Sequence, residues 1–118
     1  MPTILIVDDE RPLRDLLVAV FSGSGYRVVE AGDGRRALEL AAAEHLDAVI
    51  SDVMMPLMNG LELCRRLKGD ENTRDVRVVL MSAVEQVGSE AAGADAFVSK
   101  PFDIDEVERL VGRLLTAS

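Results

Sequence analysis

Residues 3–9 read Thr3-Ile4-Leu5-Ile6-Val7-Asp8-Asp9, an apolar run broken off by two adjacent acids. A run that short, nearly continuous in Ile, Leu and Val, is the pattern of a strand buried on both faces. The period then changes. Leu13, Leu16, Leu17, Val20 and Phe21 fall at i, i+3, i+4, i+7 and i+8, one face of a helix. Pro12 suits its first turn, and Gly23 with Gly25 stops it before Tyr26. A buried strand handed to an amphipathic helix is half of a βαβ unit, and the chain repeats the pattern. Further short runs stand at Arg27–Val29, Ala48–Ser51, Arg77–Met81 and Ala96–Ser99. Between and after them lie helical patterns. Gly34–Glu44 carries Ala37, Leu38 and Ala41; a third helix carries Leu63, Cys64 and Leu67 and ends at Gly69; the last carries Ile104, Val107, Val111 and Leu114. The stretch between Ser82 and Phe97 has the weakest helical signal. Strands alternating with helices predict right-handed crossovers and a parallel sheet covered on both faces.

At 118 residues, the chain has room for one domain, taken as residues 1–118. The core must be aliphatic, because 48% of residues are hydrophobic but only 3% aromatic. A formal charge of −8 argues against direct binding of nucleic acid, whose phosphates need Lys/Arg patches. One cysteine and one histidine exclude an internal disulfide and any Cys/His zinc set. No apolar run approaches the ~18 residues of a membrane span, and residues 1–20 lack a signal-peptide pattern. The expected setting is cytoplasmic, with no membrane partner. His45, near a helix end, reads as a surface residue interacting with the helix dipole, and Cys64 as a small core residue.

Polar residues recur at one place, the C-terminal end of a strand. Asp8 and Asp9 follow the first strand, Asp52 the third, Ser82 the fourth and Lys100 the fifth. Parallel strands bring all five to one edge of the sheet, where open α/β sheets hold ligands. Any one of them alone would read as a helix cap, a strand-end hydroxyl or a surface charge. Together they read differently. Two carboxylates ~4 Å apart repel by about 4 kcal/mol at an effective dielectric of ~20, so gathering three calls for a cation. Hard oxygen ligands suit Mg²⁺. A metal, a carboxylate nucleophile, a hydroxyl and a lysine are the parts of phosphoryl transfer.

The sequence resembles the receiver domain of two-component response regulators, nearly end to end. The motifs that carry the resemblance are Ile6-Val7-Asp8-Asp9-Glu10, Asp52-Val53-Met54-Met55-Pro56 with Asn59-Gly60, Met81-Ser82-Ala83, Gly93-Ala94-Asp95-Ala96-Phe97 and Lys100-Pro101-Phe102. The resemblance implies a flavodoxin-like, doubly wound five-stranded parallel sheet of order 2-1-3-4-5 with five helices. It implies that Asp52 accepts a phosphoryl group from a histidine kinase or histidine phosphotransfer protein. By the same resemblance Asp9, Asp52 and the Met54 backbone carbonyl ligate Mg²⁺ directly, and Asp8 does so through a water. Ser82 bonds a phosphoryl oxygen, Lys100 pairs with the phosphate and Phe97 rotates inward behind Ser82. The Lys100–Pro101 bond is expected to be cis. Phosphorylation is expected to change the surface around the fourth helix, the fifth strand and the last helix. The chain departs from the family in having Ser82 for a frequent Thr and Phe97 for a frequent Tyr. It also runs about four residues short between Ser82 and Phe97, about one helical turn, which predicts a shortened fourth helix.

Three other readings compete. Gly32-Asp33-Gly34-Arg35-Arg36-Ala37 fits G-x-G-x-x-A, a dinucleotide fingerprint, with Asp52 in the ribose-binding place. Asp33 would, however, aim a negative charge at the pyrophosphate, so a turn and helix start is the preferred reading. A haloacid-dehalogenase-like phosphatase would need Asp-x-Asp after the first strand, and here Asp8 and Asp9 are adjacent with Glu10 a poor substitute. A pseudo-receiver that binds partners without phosphorylation is disfavoured because all five pocket residues are present. The expected protein labels itself once and is not a turnover enzyme.

Overall fold

The structure is a computed structural model that describes residues 1–83 and 93–116. Its elements are β1 (Thr3–Val7), α1 (Arg11–Gly23), β2 (Arg27–Ala31), α2 (Gly34–Ala43), β3 (Ala48–Asp52), α3 (Gly60–Gly69), β4 (Arg77–Ser82), β5 (Ala96–Ser99) and α4 (Ile104–Thr116). All strand pairs are parallel, in the order β2-β1-β3-β4-β5. The helix expected between Ser82 and Phe97 lies outside the described residues, so α4 is the last helix of the chain.

Alternation along the strands builds two apolar layers. Leu5, Val7, Val49, Val78 and Leu80 face one way and meet Ala37, Ala41, Leu63, Cys64 and Leu67 of α2 and α3. Ile4, Ile6, Ile50, Val79 and Met81 face the other way, against Leu17 and Phe21 of α1 and Val107 and Val111 of α4. Because both faces are covered, β1 needs apolar residues at every position, and all five of its residues are buried. The α1 face differs in part from the sequence expectation. Leu17 and Phe21 are buried and Leu13 packs beside them, but Leu16 is 49% exposed and Val18 takes the inward place. At 100° per residue, a spine through Leu13, Leu17 and Phe21 can lean toward Val18 or toward Leu16, not both.

Local chemistry sets the ends of the elements. Pro12 sits in the first turn of α1, and Gly25 takes φ +92° after its last turn, a conformation costly for any side chain. Asp33 caps α2 by accepting from the Arg36 N–H at 2.8 Å, so the Gly32–Ala37 stretch is a helix start. Asn59 caps α3 in the same way, through the Glu62 N–H at 2.9 Å. Cys64 is fully buried on α3, and burial pushes its thiol pKa up to about 11. His45 is 89% exposed beside Asp47, two residues beyond the end of α2. Among the described residues, no helix is long and apolar enough to cross a membrane.

Candidate functional site

The chain order reverses direction across the sheet between β1 and β3, and the C-terminal ends of these strands carry Asp8 and Asp52. The Asp8 N–H donates to the Ala31 carbonyl at 3.2 Å, which adds a rung to the β1–β2 ladder and draws the side chain inside. Asp8 is fully buried. Its Oδ1 accepts from the Glu10 N–H at 2.8 Å, a local turn that folds Glu10 back toward the site. Its Oδ2 is buried without a hydrogen-bond partner among the described residues. Burial raises the Asp8 pKa; the Glu10 N–H and Lys100 pull against this, and the nearby charges of Asp52 and Glu10 add to it.

Asp52 is the last residue of β3, not the first of the loop after it, and pairs with Met81. It is 3% exposed. The Met54 N–H lies 3.4 Å from its Oδ1, and the Lys100 Nζ lies 3.3 Å from its Oδ2. Lys100 is also 3.9 Å from Glu10 Oε1. Ser82, likewise inside its strand, ends β4, is buried, and pairs with Ser99. Its carbonyl accepts from the Lys100 N–H at 2.8 Å, which ties the β5 exit to the end of β4. The Lys100–Pro101 bond is cis. Phe97 is half-buried on β5 against the α2–α3 side of the core.

Of the residues expected at the site, Asp8, Asp52 and Lys100 thus meet, with Ser82 on the neighbouring strand end. Asp9 does not join them: it is exposed and outside the carboxylate group. That group is Asp8, Glu10 and Asp52, with ligand oxygens all within 4.8 Å of one another. Glu10 is the member that sequence reasoning passed over; its signal is the Asx-type turn that Asp8 makes two residues ahead. Met54 is 62% exposed, and what it brings near Asp52 is its backbone N–H. Gly60, at the start of α3, donates to the Val53 carbonyl at 2.9 Å and presses on the backbone of Asp52. Three hard carboxylates, one with an orphaned buried oxygen, form a donor set that fits Mg²⁺.

A doubly wound parallel sheet with an acidic pocket and a lysine at its switch point defines a phosphoryl-transfer class of α/β domain. Residues 4–112 match the response regulator receiver domain, and the chain belongs to that family. Its relatives include the response regulator MprA of Mycolicibacterium vanbaalenii, 45% identical over 106 residues that cover 88% of this chain and 46% of MprA. Another is RpaA of Synechocystis, a DNA-binding dual master transcriptional regulator, 36% identical over 98% of this chain and 49% of RpaA. The chain therefore spans about half the length of these relatives. Among solved structures, chemotaxis protein CheY4 of Vibrio cholerae superposes with a TM-score of 0.91 at 28% identity, covering 97% of this chain and 98% of CheY4. The response regulator TrrA of Thermotoga maritima, solved in complex with Mg²⁺ and BeF, gives 0.86 at 33% identity, covering 97% of this chain and 99% of TrrA.

Proposed function

We propose that this receiver domain accepts its phosphoryl group on Asp52, with Mg²⁺, from a histidine kinase or histidine phosphotransfer protein. The observation that carries the assignment is a nearly buried Asp52 carboxylate whose Oδ2 lies 3.3 Å from the Lys100 Nζ, inside the acidic group. A carboxylate oxygen of Asp52 attacks phosphorus and forms the new P–O bond. The bond from phosphorus to the donor's imidazole nitrogen breaks, and that nitrogen leaves with the electron pair. Bound Mg²⁺ would neutralise the carboxylates and the transferring oxygens. Asp52, Asp8 and the Met54 carbonyl would hold it, with Asp9, exposed here, turning in to join them and Glu10 near enough to Asp8 and Asp52 to add its charge.

Lys100 exchanges Asp52 for a phosphoryl oxygen, and the Ser82 hydroxyl donates to another. Phe97 rotates inward behind Ser82. This couples the pocket to the surface around β5 and α4. The domain labels itself once per donor and does not turn over a pool of phosphomonoesters. We place the DNA contact implied by RpaA's description outside this domain, because a charge of −8 opposes approach to a phosphate backbone. A cytoplasmic setting fits phosphotransfer from a kinase.

Intact mass after incubation with acetyl phosphate and Mg²⁺ tests the assignment. One phosphoryl group should add to the wild type and none to Asp52→Asn. A full mass increase in that variant would move the acceptor elsewhere.

A further inference from the structure

Arg14 stands in the first turns of α1, four residues beyond Glu10, and its side chain is only 17% exposed. Its Nη1 donates to the backbone carbonyl of Asp8 at 2.7 Å, and its Nε donates to Glu30 Oε1 on β2 at 3.0 Å. Both bonds are charge-assisted, and the planar guanidinium makes them from one rigid fork. The fork lies over Gly32, where a Cβ would come within 3.1 Å of Nη1. The first glycine of the Gly32-Asp33-Gly34 stretch thus has a physical use unconnected with dinucleotides: it leaves room for an arginine.

The carbonyl that Arg14 holds belongs to the peptide joining Asp8 to Asp9. The N–H of Asp8 is already bound to the Ala31 carbonyl, and its Oδ1 to the Glu10 N–H. With the carbonyl clamped as well, the buried Asp8 cannot rotate its peptide, and its orphaned Oδ2 stays beside Asp52 and Glu10. Glu30 and Gly32 come from β2 and the turn after it, so the clamp also locks the β1–α1 turn to the neighbouring strand.

We propose that Arg14 is a positioning residue of the cation site. Seated on Gly32 and anchored by Glu30, it fixes the Asp8–Asp9 peptide so that the buried Asp8 keeps its carboxylate beside Asp52 and Glu10, ready for a divalent ion. This rests on the reading of the acidic group as a Mg²⁺ site, which the wild-type titration tests separately. Partners behind metal ligands typically set affinity by about 10- to 100-fold, and Arg14 belongs at the lower end because it acts through backbone.

The experiment is calorimetric titration with Mg²⁺ alone, paired with thermal melting of the metal-free proteins. Arg14→Ala should weaken Mg²⁺ binding about tenfold. Arg14→Lys, which can reach one anchor but not both, should fall between it and the wild type, and Glu30→Gln should weaken binding less than Arg14→Ala does. Lys68→Ala is the control. It cuts a structural network at the opposite end of the sheet, and should lower the melting temperature while leaving Mg²⁺ affinity in place. Arg14→Ala binding Mg²⁺ as tightly as the wild type would overturn the proposal. So would a loss in Lys68→Ala matching that in Arg14→Ala. If Arg14→Ala does not fold, Glu30→Gln decides, and undiminished affinity there would overturn it. A wild-type chain that takes up no Mg²⁺ would overturn the cation site itself, and the clamp with it.

Discussion

At Gly60 any other residue would carry a Cβ 2.3 Å from the carbonyl oxygen of Asp52 and 3.0 Å from the Cα of Val53. Neither neighbour is a side chain that could swing away. An added methyl must therefore move the end of β3, the start of α3, or both. Gly60→Ala should cost about 1–3 kcal/mol, the usual range for overpacking, and slow phosphorylation by displacing Asp52. Urea unfolding reads the first effect, and an unchanged midpoint would mean that α3 does not press on the acceptor strand. The same closeness separates two residues that look alike in sequence. Asp8 and Asp9 are adjacent acids, yet one is fully buried and the other exposed, because the strand ladder continues through the Asp8 N–H. Residue type and spacing cannot rank them; the extra rung does.

A single carboxylate joins three elements at the entry to β5. Asp95 Oδ2 accepts from the Lys68 Nζ of α3 and from the Val78 N–H of β4, both at 2.8 Å, and Oδ1 lies 3.4 Å from Arg77 Nη1. Lys68 also donates to the Val76 carbonyl at 2.7 Å. Burial alone would raise the Asp95 pKa, but the bonds from Lys68 and Val78 and the nearby positive charges outweigh it and hold the pKa below the ordinary 3.8. A folded-state pKa below the unfolded one gives stability that is complete above 3.8 and is lost as pH falls through the lower folded value. Asp95→Asn should therefore destabilise by about 2 kcal/mol at neutral pH, a typical worth for charged hydrogen bonds. The gap to the wild type should narrow in acid, and urea titrations at about pH 7 and about pH 3 would show it. A gap constant with pH would remove the carboxylate charge from the account. Elements of this kind were legible in the sequence to within a residue or two. β1 and β5 have their expected bounds, whereas β2, β3 and β4 run on through Ala31, Asp52 and Ser82. For β3 and β4 the misses share a cause. Polarity marks a strand's end in sequence, but Asp52 and Ser82 are the last hydrogen-bonded rungs and owe their burial to the partners beside them. β2 runs on past the exposed Glu30 because its ladder with β1 continues to Val7 and Ala31. Most of the pocket was legible because strand ends converge whatever the details. Glu10 and Arg14 were not, since a turn and a backbone contact bring them in.

Across the whole molecule, two well-filled apolar layers hold together an edge that repels itself. Asp8, Glu10 and Asp52 share that edge with the Lys100 ammonium. The raised Asp8 pKa has the opposite sign to that of Asp95: ionised Asp8 costs the folded state stability at neutral pH, and the cost is relieved in acid or by removing the charge. Metal-free Asp8→Asn should accordingly melt above the metal-free wild type. Mg²⁺ at about 100 times its dissociation constant should add about 2.7 kcal/mol to the wild type. For a domain of this size, that is a rise of roughly 10 °C, and less in the variant. Melting curves with and without the ion decide it; a variant that melts lower without metal and gains as much with it would refute the account. The other side of the sheet holds a feature of a different kind. Cys64, the chain's one cysteine, is fully buried on α3, and its pKa of about 11 keeps it a thiol at neutral pH. A maleimide or disulfide reagent in solution can therefore modify the chain only in those moments when α3 lifts from the sheet. The speed of labelling becomes a clock for that opening, supplied by the natural sequence with no probe to engineer.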